Sequence, residues 1–259
     1  MRLHRPTTAN SASTLKAEDV TVAFSGVLAL RDVTFSVTRG EIVGLIGPNG
    51  SGKTTLLNVV SRFLQPTGGR VCLDEENVLR LSPHRLVRRG VSRTFQGVRP
   101  FHHLTVRENV EAGAVGVGAS RRVARAKAEA LLEELSLGDV ADAWAATLPA
   151  GMQRRLGIAR ALAASPDFLL LDEPAAGLYE SETDQITRLI GAIRAERRCA
   201  IVVVEHDMRV IMRLCDRVHV LESGTTIANG TPDEVRRDQR VRDAYLGPAA
   251  DGPRLDAQR

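Results

Sequence analysis

Three features of the sequence predict an α/β fold with a parallel sheet at its centre. The first is a run that fits the phosphate-loop pattern G-x-x-x-x-G-K-[ST] at every fixed position: Gly47, Pro48, Asn49, Gly50, Ser51, Gly52, Lys53 and Thr54. The second is its setting. The apolar run Glu41 to Ile46 before it suits a buried strand, and Thr55 to Leu64 after it is apolar at helical spacing, so the loop joins a strand to a helix. The third is the recurrence of short apolar runs, Phe168 to Leu171 and Ala200 to Val204, each separated from the next by a helix-period segment.

At 259 residues and 43% hydrophobic, the chain is long enough for one sizeable core with an inserted subdomain. Residues 1–14 carry Arg2 and Arg5 but no apolar stretch, and they read as a disordered tail. From Leu15 to Gly40 apolar residues alternate (Val20, Val22, Phe24, then Leu28, Leu30, Val33, Phe35, Val37) around a break at Ser25-Gly26, which predicts antiparallel strands. Phe24, just before that break, could stack on a nucleotide base or pack in the core.

In the phosphate loop the glycines let the backbone wrap closely, so that successive N–H groups converge on phosphate oxygens at a helix start. Lys53 adds a charge for the β- and γ-phosphates, and the Thr54 hydroxyl, followed by Thr55, can ligate Mg²⁺. Beyond the first helix, Pro66 to Gly69 forms a turn and Arg70 to Leu73 a strand. Ser82-Pro83 starts a short basic helix, and Val91 to Phe95 reads as a strand ending in Gln96. A glutamine at a strand's carboxyl end, where α/β sheets place ligands, can reach a Mg²⁺ ion and an attacking water.

Thr105-Val106-Arg107-Glu108 is a capping box, and Arg121 to Leu135 is a helix with Val123, Ala124, Leu131, Leu132 and Leu135 as its apolar members. Helices without strands over about 97–165 predict a helical insertion. A loop at Leu148 to Gln153, which includes Gly151, feeds the next helix. The strand that follows ends in Asp172-Glu173-Pro174. If its neighbour is the phosphate-loop strand, Asp172 lies near Thr54 and can hold Mg²⁺, while Glu173 can polarise a water attacking the γ-phosphate. Ser181 to Arg197 is a helix, and Ala200 to Val204 a strand ending in Glu205-His206-Asp207, which puts His206 within reach of a γ-phosphate. Thr231 to Glu234 caps a further helix at its Pro232, and residues 247–259 read as a second disordered tail.

Net charge is +4, but the arginines are scattered and aromatics make up only 3%, so no nucleic-acid partner is expected. Cys72, Cys199 and Cys215 form no C-x-x-C pair, which fits a reducing compartment. Nowhere do eighteen apolar residues run together, so no membrane span is expected.

The phosphate loop, Gln96, the Leu148-to-Arg154 loop-helix, Leu169-Leu170-Leu171-Asp172-Glu173-Pro174 and Val204-Glu205-His206-Asp207, in this order and spacing, resemble the ATP-binding subunit of an ABC transporter over about Leu15 to Leu246. More narrowly, Gly90 to Gln96, Pro174 to Leu178, Glu205 to Met208 and Ala228 to Pro232 with Ala244 to Gly247 are similar to the subunit that serves branched-chain amino acid importers. The resemblance implies a P-loop NTPase (RecA-like) core with an N-terminal antiparallel β subdomain and a helical insertion. It implies ATP and Mg²⁺ as cofactors, with Phe24 stacking on adenine and Gln96 linking the metal to the permease contact. Thr54, Gln96 and Asp172 would serve the metal, Glu173 would be the catalytic base and His206 would sense the γ-phosphate. It further implies a peripheral place on the cytoplasmic face of the membrane, separate permease subunits, an extracytoplasmic binding protein, and a head-to-tail ATPase pair in which Gly151's loop faces the partner's ATP. A lipid or lipopolysaccharide export ATPase is the alternative, and a non-transport ABC ATPase a more distant one.

Two departures stand out. The family's Leu-Ser-Gly-Gly-Gln signature reads Leu148-Pro149-Ala150-Gly151-Met152, and Tyr179-Glu180 replaces the subgroup's Asn-Pro. Pro149 has neither hydroxyl nor N–H, and Ala150 lacks a glycine's access to positive φ, so the expected partner is an unlike ATPase with an intact signature.

Overall fold

A computed structural model describes residues 13–95, 97 and 100–246. The expectations for Gln96, for residues 1–12 and for residues 247–259 lie outside the described residues. The alternating N-terminal segment forms β1 (Thr14–Phe24) and β2 (Val27–Thr38), antiparallel about Ser25-Gly26, whose positive φ angles of 46° and 88° close the turn. β4 (Gly68–Leu73) and the two-residue β5 (Glu76–Asn77) complete a four-stranded sheet in the order β2-β1-β4-β5.

The second sheet holds β3 (Ile42–Ile46), β6 (Val91–Arg93), β7 (Phe168–Asp172), β8 (Ala200–Val204), β9 (Arg217–Glu222) and β10 (Thr225–Gly230), in the order β10-β9-β3-β8-β7-β6. All but β10 run parallel. β3, β7 and β8 are buried along their whole length, as strands covered on both faces must be, which is why they read as unbroken apolar runs.

Two apolar cores lie against this sheet. One face (Ile42, Ile46, Leu169, Leu171, Ile201, Val203) packs with α3 (Val106–Gly116), α4 (Arg121–Glu134), α5 (Ala150–Leu162), α6 (Glu180–Arg197) and α7 (Met208–Leu214). The other face (Val43, Leu45, Leu170, Val202, Val204) packs with the four-stranded sheet, α1 (Lys53–Val60) and α2 (Pro83–Arg88). The strand alternation of side chains assigns each residue to its core. α8 (Pro232–Arg237), with Thr231 and Glu234 closing its capping box, and α9 (Gln239–Leu246) complete the described chain.

Some elements differ from the sequence reading. α1 stops at Val60, because Ser61 caps it and Arg62 takes φ 65°, so Ser61 to Leu64 leave the helix. β6 ends at Arg93, since only Val91 to Arg93 face β7. On α4, Val123 is exposed and Ala128 is buried in its stead, because Ala124, Ala128, Leu131 and Leu132 form the inward stripe at helical spacing and Val123 falls outside it. β1 begins at Thr14, and Ser13 Oγ donates to Asp74 Oδ1 at 2.6 Å, so Thr14, placed in the tail by the sequence, belongs to the sheet and Ser13, placed there too, is tied to it.

Candidate active site

The parallel register brings three chain segments to one edge. Leu45 and Asp172 both stand opposite Val204, so the carboxyl ends of β3, β7 and β8 are level. The phosphate loop, Glu173 and Glu205-His206 therefore leave the sheet side by side, where α/β folds place ligands. β3 and β7 are not direct neighbours, because β8 lies between them, and the three strand ends meet at the level edge instead.

The phosphate loop is shaped by its glycines. Gly52, at φ 103°, is the N-cap of α1, and a Cβ there would come within 2.7 Å of Leu30 and 2.8 Å of the Ala29 carbonyl oxygen. At Gly47 a Cβ would collide with the Leu221 carbonyl oxygen and the Ser51 hydroxyl. The β9–β10 turn braces the loop. Gly224 N–H donates to Ser51 O at 3.1 Å, and Arg31 N–H donates to Gly224 O at 2.8 Å. Lys53 Nζ donates to the carbonyls of Gly47 and Pro48, both at 2.8 Å. Burial lowers the Lys53 pKa, with Glu173 and then Asp172 acting in the opposite sense. These two carboxylates therefore already share the field of the loop lysine. Thr54 is exposed at the start of α1, Thr55 is half-buried, and Pro48, Asn49 and Gly50 form the outer curve.

Asp172 is 2% exposed. Its Oδ2 accepts from Arg93 Nη2 at 2.8 Å, and its Oδ1 is buried with no hydrogen-bond partner. One free carboxylate oxygen, with a hydroxyl at Thr54, suits a hard cation that keeps most of its water and takes the rest of its ligands from phosphates. The residues present therefore fit a Mg²⁺ ion. Glu173, at φ 49°, continues the ladder by donating its N–H to Val204 O at 2.9 Å. Glu205 is 1% exposed and accepts the Ala175 N–H at 2.7 Å, which ties the loop after β7 to the loop after β8. Burial raises the Glu205 pKa, and the N–H of Ala175 acts against it. His206 is largely exposed, with Nδ1 3.9 Å from Glu205 Oε2.

Phe24 is about half exposed at the end of the β1–β2 hairpin, whose Ala29 and Leu30 touch the phosphate loop. Gly151 lies in the first turn of α5, on a different element from the other candidates, and a Cβ there would meet Glu182 Oε1 at 2.7 Å. Ala150 is helical and not among the positive-φ residues, so the missing glycine costs this loop no conformation that it uses. Ala150 therefore does not weaken the loop in the way the sequence suggested. Pro149 is the N-cap of α5 without a side-chain cap, and the lost hydroxyl and N–H remain the difference.

Sequence reading missed Arg93, Glu205, Gly224 and Tyr245. A charged residue ending a strand before Phe95, and one directly after the β-branched run of β8, were the available signals for the first two. Gly224 and Tyr245 come close to the loop only through tertiary packing. Burial pushes the Tyr245 phenol up to about 12, against the opposing effect of the Gly47 backbone beside it.

The chain matches the ABC transporter family model over residues 30–176, and the model for branched-chain amino acid ATP-binding cassette transporters over residues 225–247. It is 41% identical over 250 residues to the high-affinity branched-chain amino acid transport ATP-binding protein BraF of Pseudomonas aeruginosa, with 91% of this chain and 98% of that protein covered. Escherichia coli LivG, named likewise, is 40% identical with the same coverage, and the lipopolysaccharide export system ATP-binding protein LptB of Haemophilus influenzae is 35% identical over 236 residues. The crystal structure of MJ1267, an ATP-binding cassette of an ABC transporter in its ADP conformation, superposes with a TM-score of 0.82 at 29% identity, covering 92% of this chain and all of that one. With the phosphate loop, the Asp172-Glu173 strand end and the Glu205-His206 strand end aligned on one sheet edge, this chain belongs to the family of ABC transporter ATP-binding subunits.

Proposed function

We propose that the chain binds ATP with Mg²⁺ at this edge and hydrolyses it to drive import of hydrophobic, branched-chain-type amino acids through separate permease subunits. The observation that carries the reading is the convergence of Lys53, Asp172, Glu173 and His206, from three strand ends, on one edge. The N–H groups of the loop and of α1 cradle the phosphates, and Lys53 exchanges its two carbonyl partners for phosphate oxygens. Phe24 covers the base. Mg²⁺, held by Thr54, Asp172 and Gln96, would neutralise charge on the phosphates as the terminal bond breaks. Glu173 takes the proton of the attacking water, and His206 donates to the γ-phosphate.

The amino-acid cargo rests on the relatives at 40–41% identity and on the matched segment 225–247, against 35% for the lipopolysaccharide exporter. Among the described residues no helix is long and apolar enough to cross a membrane, in keeping with a peripheral subunit on the cytoplasmic face. A second, unlike ATPase subunit completes the pair, and an extracytoplasmic binding protein delivers the cargo.

The test is purification of the chain with its partners from detergent-solubilised membranes, then ATP-driven uptake of labelled leucine, isoleucine and valine into proteoliposomes. Uptake should vanish with Lys53→Ala. A complex that carries no amino acid, or that copurifies with lipopolysaccharide export components, would refute the import reading.

A further inference from the structure

Arg93 lies at the end of β6, inside the Gly90 to Gln96 segment but with no role assigned to it above, and its guanidinium donates three hydrogen bonds at the site. Its side chain is 5% exposed. Nη2 donates to Asp172 Oδ2 at 2.8 Å, and Nη1 donates to Asn58 Oδ1 at 2.6 Å and to Ser61 Oγ at 3.0 Å. Both latter groups are fixed by α1, the helix that begins with Lys53 and Thr54, because Ser61 Oγ itself donates to Leu57 O. Phe95 and Phe63 flank the guanidinium, with centroids at 5.2 and 6.0 Å, and meet each other edge to face at 5.0 Å. A planar fork held on its edge by three acceptors and shielded by two rings has one orientation.

We infer that Arg93 is a positioning residue for the metal: it binds one oxygen of Asp172, so that the other, Oδ1, stays fixed and free for the cation. The division of the two oxygens is the key point. Oδ2 is taken by the arginine, whereas Oδ1 is buried and unpartnered, so cation and guanidinium do not compete for the same atom. Without Arg93, a carboxylate 2% exposed would turn toward the next cation, Lys53, whose charge already acts on it, and Oδ1 would leave its place. A lysine at 93 would keep a charge but could not span Asp172, Asn58 and Ser61 as a rigid fork.

The inference rests on Asp172 serving the metal, and the experiment separates the two. Binding of a fluorescent ATP analogue is titrated in EDTA and again against Mg²⁺, for the full chain and for Arg93→Met, Arg93→Lys and Asp172→Asn. Electron paramagnetic resonance of Mn²⁺ with ADP gives an independent readout of the metal. For Arg93→Met, affinity in EDTA should stay within about twofold of the parent, while the Mg²⁺ midpoint rises about tenfold. Arg93→Lys, the variant safer for folding, should fall between. A shift in EDTA affinity equal to the shift in Mg²⁺ midpoint would mean that Arg93 only supports the fold, and the inference would be lost. Parent-like midpoints in both Arg93 variants, with a raised midpoint in Asp172→Asn, would overturn the role of Arg93 alone. A parent-like midpoint in Asp172→Asn would overturn the metal reading and this inference with it.

Discussion

Glu173 occupies the left-handed region, which costs a non-glycine residue on the order of 1 kcal/mol or more, and that turn carries its side chain off the end of β7. Replacing it by glutamine keeps shape and removes the carboxylate proposed as the base. Glu173→Gln should therefore bind ATP normally and hydrolyse it at least ~10²-fold more slowly in single-turnover measurements; near-normal turnover would assign the proton to another group. His219, on β9, is fully buried, edge-on to Phe35 at 5.3 Å and 3.0 Å from Thr226 Oγ1 through Nε2. Burial, with help from Arg217, pulls its pKa down to about 4. The native state thus holds it neutral while the unfolded chain takes a proton below about pH 6.5. Stability present above that pH is lost as pH falls from about 6.5 to about 4, by about 3 kcal/mol. His219→Leu should show a smaller drop in urea midpoint between pH 7 and pH 4.5 than the parent, and an equal drop would exclude His219 as the source. Residues such as Lys53 and Asp172 were legible in sequence because spacing identifies them. Arg93 and Glu205 were not, because their importance comes from partners 79 and 30 positions away.

At the scale of elements, strands and caps were legible where local chemistry sets them. Thr105 and Glu108 form the capping box that their spacing predicts, and β3, β7 and β8 are the buried runs. Strand order was not, since nothing in either run says that β8 intervenes between β3 and β7. α5 shows the same limit. The sequence suggested two lost features in its signature loop, whereas the helix begins at Ala150 and leaves the N–H groups of its first turn free of intrahelical partners. The remaining defect is Pro149, which offers neither hydroxyl nor N–H. Pro149→Ser should restore both and raise turnover at the site built with this loop, by the ~10² of a single transition-state donor. Unchanged steady-state ATPase would show that the helix N–H groups suffice. Gly151→Asp is the poorer probe, since it would press a carboxylate against Glu182 within the same chain.

For the whole molecule, the central sheet separates a core that carries the phosphate loop from one that carries α3, α4 and α5. Arg154 Nη2 donates to Ala176 O at 2.9 Å, so α5 is tied to the loop after Glu173 as well as by packing. An unlike partner with an intact signature would form the better site with this chain's Lys53, Asp172 and Glu173. ATPase activity of the purified chain alone should therefore be well below that of the chain mixed with its partner subunit, and equal rates would argue for a working homodimer.

The phosphate loop is made early and completed late. Its strand pairs with β8 and β9, its inner face is braced by Gly224, and Tyr245 stands beside Gly47. Since these contacts span more than 150 residues of sequence, loop closure is deferred until most of the chain has left the ribosome. A nascent chain that has made residues 47–54 already carries the motif but not the cradle, so a stalled or clipped product ending before β8 would not sequester cellular ATP. Nucleotide binding thereby requires that translation has passed β8 and β9, the strands that flank the phosphate-loop strand.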